Sequence, residues 1–214
     1  MVMKDETDWS MTKAAEVAPK LAAMGQSILE TPVKTLVILD SWFGARQLAA
    51  LLHSEDVSVI FLANTNHLST AEQKQVRAKN AIRLQAFNAT NNRLGESYRV
   101  AVAEAEEYSE GVSFMHVRRV IVDPGFGLQV SWATMEQRIG RALRSCSHEG
   151  LPKHMKSVQV DMFIAVHGQM DKYPPTIDVE KLEFIEKEIP QIQKGMDFLR
   201  GISIDAEYYG TNGA

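Results

Sequence analysis

The 214-residue chain is 45% apolar and 23% charged, enough to bury one substantial core, so two small lobes are excluded in favour of one domain. A net charge of minus 4 excludes a free-standing, tightly gripping nucleic-acid binder, because non-specific affinity comes mainly from lysine and arginine neutralising phosphates. Cys146 is the single cysteine, which rules out an internal disulfide and weighs against a Cys/His zinc site.

The polar start Met1-Val-Met-Lys-Asp-Glu-Thr-Asp8 has no apolar signal core, and no run approaches the roughly 20 apolar residues of a membrane helix. A soluble intracellular protein is expected. Val17, Leu21, Met24 and Ile28 form one stripe of an amphipathic helix over 12–30, ended by Pro32. Thr35–Asp40 is a short, nearly unbroken apolar run, as a strand covered on both faces requires. Further strands are expected over 57–62, 98–103, 119–123 and 158–165, with helices over 43–53, 70–85 and 131–145 between them. Alternating strands and helices predict an α/β fold with crossovers on a mostly parallel sheet. A last helical region, 178–200, carries apolar residues on a helical period and is interrupted by Pro190, which predicts a kink or two helices.

The segment Glu136-Gln-Arg-Ile-Gly-Arg-Ala-Leu-Arg144 carries the most chemistry. At about 100° per residue, Gln137, Arg141 and Arg144 share one helical face and Met135, Ile139 and Ala142 the other. Two guanidiniums and an amide on one face suit a polyphosphate, since fork-shaped donors match phosphate oxygens; a solvated polar stripe has the same pattern. Glu110-Gly111 with Ser113 reads either as a turn between strands or as a close approach to a bound strand. Asn88 and Asn91 read either as turn formers or as strand-facing groups, and Arg93 is equally open. The six histidines, 53, 67, 116, 148, 154 and 167, have no zinc-like spacing. Trp9, Trp42 and Trp132 read as packing or interface residues.

Gln137-x-x-Gly140-Arg141-x-x-Arg144 resembles motif VI of superfamily 2 helicases, a Gln or His followed by x-x-Gly-Arg-x-x-Arg. Thr35 to Trp42 resembles motif IV, and Glu110-Gly111 with Ser113 resembles motif V. Phe87-Asn-Ala-Thr-Asn-Asn-Arg-Leu-Gly95, Ser147-His148, Leu151-Pro152, and the flanking pairs Thr176–Asp178 and Ile204-Asp205 narrow the likeness. They resemble the helicase and transcription-associated ATPases of large nucleocytoplasmic DNA viruses, over about 17–208. The resemblance implies a three-layer RecA-like second lobe over 12–167, after a leader at 1–11 and before a linker at 168–175 and a helical tail at 176–214.

It further implies that Arg141 and Arg144 are arginine fingers reaching the terminal phosphate of ATP with Mg2+, held mainly by an N-terminal lobe in cis or trans. Gln137, Gly140, Glu110 and Gly111 would line that nucleotide, while Ser41, Asn88, Asn91 and Ser113 would meet a DNA or RNA backbone. No Gly-x-x-x-x-Gly-Lys-Ser/Thr loop occurs in the sequence, and no Asp-Glu box follows an apolar strand. The chain alone is therefore expected to be inactive, because arginine fingers complete a site without creating it. The segment before Glu110 is longer and more acidic than the resemblance implies, and Glu104, Glu106 and Glu107 would repel a phosphate backbone if they faced it. That supports the alternative, an ATPase-inactive interaction module docking on a helicase or transcription complex, beside the favoured reading as half of an ATP-dependent motor.

Overall fold

The computed structural model describes residues 9–66, 68–108, 111–123, 131–169 and 172–202. Five strands, β1 (Thr35–Leu39), β2 (Val59–Leu62), β3 (Val100–Glu104), β4 (Arg119–Val122) and β5 (Gln159–Met162), form one sheet in the order β2-β3-β1-β4-β5. Every pairing is parallel, with Thr35 of β1 opposite both Val100 and Arg119. The helices are α1 (Met11–Val17), α2 (Pro19–Glu30), α3 (Trp42–Ser54), α4 (Thr70–Asn88), α5 (Ala105–Tyr108), α6 (Trp132–Gly140) and α7 (Ile177–Ile202).

Successive residues of a strand point to opposite faces of a sheet, and the two cores follow that alternation. Leu36 and Ile38 pack with Phe87 of α4, Met135 of α6 and Ile185 of α7. Val37 and Leu39 pack on the other face with Met24 and Ile28 of α2 and Leu48 and Leu52 of α3. The result is the three-layer α/β architecture expected from the sequence. The central strands β1, β3 and β4 are buried throughout, whereas the edge strands β2 and β5 are partly exposed.

Two local expectations are corrected, and of the two alternatives at Pro190 the break into two helices is excluded. The helix read over 12–30 is two helices, because Ala18 precedes Pro19 and is held at φ −145°, ψ 62°, outside the helical region. Pro19 then opens α2, where its missing N–H costs nothing. Val17, read as part of the buried stripe, is 62% exposed. The helix read over 131–145 ends at Gly140, and residues 141–150 run in turns. The region around Pro190 is a single helix, α7, with Pro190 inside it.

Candidate functional site

The carboxyl ends of parallel strands gather loop residues into one edge, the usual place for ligands in open α/β sheets. Asp40 follows β1 and Asp123 follows β4, adjacent strands, so two carboxylates meet there. Arg138, on the inward face of α6, sets a terminal guanidinium nitrogen 2.5 Å from Asp40 Oδ1 and donates to the Asp123 carbonyl at 3.2 Å. Lys20 of α2 lies 2.6 Å from Asp123 Oδ1 and 2.7 Å from Asp178 Oδ2 of α7. Burial pushes the Asp40 carboxyl above its ordinary range, Arg138 opposes that shift, and Asp123 adds to it.

α6 is held from both ends. The Ser131 side chain accepts from the Thr134 N–H, and Glu188 of α7 accepts from the Trp132 N–H at 2.9 Å. Two otherwise unpaired donors of the first turn are thereby satisfied. Past Gly140, the Arg141 carbonyl accepts from the Phe114 N–H at 2.9 Å, and the Ser147 carbonyl accepts from the His116 N–H at 2.8 Å. His148 adds a bond from its Nε2 to the Val117 carbonyl at 2.5 Å. The 141–149 turns are therefore laced to the 113–117 segment that enters β4.

Within this frame Gln137 and Arg144 are exposed and Arg141 is half-buried. The Arg141 Nε is buried with no hydrogen-bond acceptor among the described residues. Of the three, Gln137 alone lies within α6; Arg141 is its C-cap, still at φ −64° and ψ −27°, and Arg144 lies four residues beyond the end of α6 at Gly140, in the following turn. A Cβ added at Gly140 would meet nothing within 4 Å, so neither packing nor backbone geometry inside this lobe requires glycine there.

The other sequence-predicted residues divide. Glu110 lies outside the described residues. Gly111 has φ +74°, the left-handed region that favours glycine, and open space around it. Ser41 caps α3, its hydroxyl oxygen accepting from the Gly44 N–H at 3.2 Å. Asn88 is committed to its own fold: its amide nitrogen donates to the Ser113 carbonyl at 2.8 Å and its oxygen accepts from the Met115 N–H at 2.8 Å. Asn91 is exposed, whereas its neighbour Asn92 is buried and bonds four backbone groups. Arg93 donates to the Gly150 carbonyl at 2.7 Å. Glu104 is buried at the end of β3, so at least that carboxylate does not face a strand.

Sequence reasoning missed Arg138, Asp40, Asp123 and Lys20. The signal was present: Arg138 falls three after Met135 and four before Ala142, a charge on the apolar stripe of its helix. A cation there needs an anion beneath it, and the strand-ending Asp40 and Asp123 supply one.

No three His, Cys, Asp or Glu converge among the described residues. The chain is similar in sequence to viral helicases and nucleoside triphosphatases. It is 37% identical over 82 residues to a candidate ATP-dependent RNA helicase of Acanthamoeba polyphaga mimivirus, a match covering 38% of this chain and 13% of that protein. It is 29% identical over 126 residues to nucleoside triphosphatase I of Melanoplus sanguinipes entomopoxvirus, covering 57% of this chain and 18% of that one. The chain thus matches less than a fifth of the length of these curated relatives. Among solved structures, the C-terminal domain of the DEAD-box protein Dbp5 superposes with a TM-score of 0.48 at 20% identity, covering 80% of this chain and 79% of that one. No family model matches.

Proposed function

We propose that the chain is the C-terminal, RecA-like lobe of an ATP-dependent helicase or translocase and supplies arginine fingers to a nucleotide held by a companion N-terminal lobe. In this reading 12–167 is the lobe proper and α7 is an accessory helix that braces it. The observation that carries the proposal is the Arg141 guanidinium of Gln137-x-x-Gly140-Arg141-x-x-Arg144, whose Nε is buried with no acceptor among the described residues.

Arg138 is consumed by Asp40 and the Asp123 carbonyl, which leaves Arg141 and Arg144 as the guanidiniums that can reach outward. A guanidinium stays charged in a cleft and offers paired N–H donors to phosphate oxygens, where it stabilises charge that builds on the transferred phosphoryl group. ATP with Mg2+ supplies the phosphoryl group and its metal when bound; Gln137 would lie beside it and open space at Gly140 would admit it. Gly111, with open space around it, and Ser41 are the positions this reading keeps for a DNA or RNA backbone. Asn88 leaves that set because both ends of its amide are already bonded.

The companion lobe must bring the phosphate loop and the magnesium carboxylates, which this sequence lacks. Mixing the chain with a matching N-terminal lobe should restore nucleic-acid-stimulated ATP hydrolysis. Arg141→Ala and Arg144→Ala should each reduce that rate on the order of 10³-fold with unchanged folding by circular dichroism. No stimulation, or stimulation indifferent to both substitutions, would sink the reading and leave the chain as an ATPase-inactive docking module.

A further inference from the structure

The turns that follow α6 are held by side chains as well as by the main chain. Ser147 is 1% exposed, and its hydroxyl lies 3.0 Å from the Ala142 carbonyl and 2.8 Å from Nδ1 of His148. His148 sets its Nε2 against the Val117 carbonyl at 2.5 Å. Ala142, between Arg141 and Arg144, is fully buried, so its carbonyl depends on a protein donor. Two non-glycine residues of this seam hold left-handed backbone, Cys146 at φ +64° and His116 at φ +61°. Such residues persist where their surroundings over-determine them, so the contacts around them hold the turn.

The hydrogens available here decide the charge of the ring. A carbonyl only accepts, so Nε2 of His148 carries a hydrogen toward Val117. The Ser147 hydroxyl has one hydrogen to give. Given to Nδ1 of a neutral His148, it leaves the Ala142 carbonyl with none from Ser147. Given to Ala142, it requires that Nδ1 carry its own hydrogen and donate to the Ser147 oxygen. All three contacts are therefore made together only by the imidazolium.

His116, across the seam, is the opposite case. Its Nε2 meets the Glu149 carbonyl at 3.1 Å and so carries the hydrogen, while its Nδ1 is buried without a partner. Burial holds its pKa below the ordinary value, and the charges of Lys34, Arg93 and His148 act the same way, against the bond to Glu149. The charged groups about the two rings are thus Lys34 and Arg93, with the exposed Glu149 side chain beside His148 and Arg141 and Arg144 on the same turns. Of the two imidazoles, His148 is the one whose neighbours use a second proton.

We propose that Ser147 and His148 are positioning residues for the arginine turn. With His148 doubly protonated, the Ser147 hydroxyl fastens the Ala142 carbonyl between Arg141 and Arg144; with His148 neutral, the hydroxyl turns to the ring and releases that carbonyl. The consequence for ATP turnover rests on the motor reading above, whereas the fastening belongs to this chain alone. A closed turn that uses the proton binds it more tightly than an open one. The fastening is therefore complete at low pH and lost as pH rises through the imidazole range, roughly 5 to 8. Neither arginine titrates there, because a guanidinium stays charged, so the proton acts on where the arginines are held and not on their charge.

NMR of the full chain with isotope-labelled histidine, without nucleotide, reads the ring directly. Neutral His148 should carry its hydrogen on Nε2, and the Ala142 carbonyl carbon and the Arg141 Nε–H should titrate with the same midpoint as the ring. Ser147→Ala should leave His148 titrating and detach the Ala142 carbonyl from it. His148→Gln, which keeps an N–H and cannot become charged, should abolish the response; if circular dichroism shows it misfolded, Ser147→Ala decides alone. With the companion lobe added, the ratio of ATP turnover at about pH 6 to that at about pH 8 should be about 5-fold higher in the parent chain than in either variant, the equilibrium worth of one hydrogen bond. A neutral ring protonated on Nδ1 overturns the inference, as does an Ala142 carbonyl indifferent to the ring or one that follows it equally in Ser147→Ala. Equal turnover ratios in the parent chain and both variants overturn it too. Coupling seen by NMR with no turnover at all removes the motor reading and leaves the fastening standing.

Discussion

Lys34, the residue before β1, is wholly buried, and its ammonium donates to the Phe87 carbonyl at 2.7 Å and the Asn92 carbonyl at 2.9 Å. It also sits 4.3 Å from the centre of the Phe87 ring, so a cation holds the end of α4 against the amino end of the sheet. Burial lowers its pKa from 10.5 to about 8, with the Glu96 carboxylate acting the other way. The folded amine holds its proton less tightly than the unfolded one, so between about pH 8 and 10.5 the unfolded chain binds more protons. This group therefore contributes stability that rises with pH across that window and is lost as pH falls toward 8. NMR of the labelled Lys34 Cε should show a midpoint near about 8, and the rise in urea midpoint across the window should be absent from Lys34→Met. A midpoint near that of the exposed lysines would contradict the picture.

At the scale of elements, α7 braces the motif-bearing helix. Ile185 is buried in the same core cluster as Met135 of α6, and Glu188 accepts from the first turn of α6. Ile185→Ala should cost about 2–4 kcal/mol by cavity formation, read as a lowered urea midpoint. Because the bond to Trp132 comes from the same helix, exchange of the Trp132 amide should accelerate along with global unfolding. A loss below about 0.5 kcal/mol would mean that α7 lies on the domain without supporting it.

The sequence was most legible where the sheet is most buried. Thr35–Leu39 and Val100–Glu104 are covered on both faces, so continuous apolar runs marked them, and the α/β alternation followed. It was less legible where one distant bond decides the outcome. Gly140 is a local hint that α6 ends there, but the Arg141 carbonyl is taken by Phe114, from a segment beyond the reach of a helical wheel. The break at Pro19 was readable from the rule for residues before proline but was masked by the periodicity of Val17 and Leu21. For the candidate site, the motif marked Arg141 as a candidate, whereas an asparagine bonded to backbone, as Asn88 is, and one awaiting a ligand look the same in sequence.

At the scale of the whole molecule, the charged cluster at the carboxyl edge joins α2, the ends of β1 and β4, α6 and α7 through Lys20, Asp40, Asp123, Arg138 and Asp178. Removing one member of a buried ion pair strands its partner's charge, which costs more than removing both. Arg138→Met should therefore destabilise the chain by about 3 kcal/mol, and adding Asp40→Asn should recover part of that loss in urea denaturation. If the double variant were as unstable as the single one, the guanidinium would be acting through its bond to the Asp123 carbonyl and its packing, not through Asp40.

The lacing of 113–117 to 141–149 consists largely of main-chain groups: Phe114 N–H to the Arg141 carbonyl and His116 N–H to the Ser147 carbonyl. Main-chain groups are common to nearly every amino acid, so this seam can hold while the letters along it drift. Two descendants of one ancestor can keep the same fastening between the 113–117 and 141–149 loops and share almost no sequence there, because the joint is written in peptide bonds.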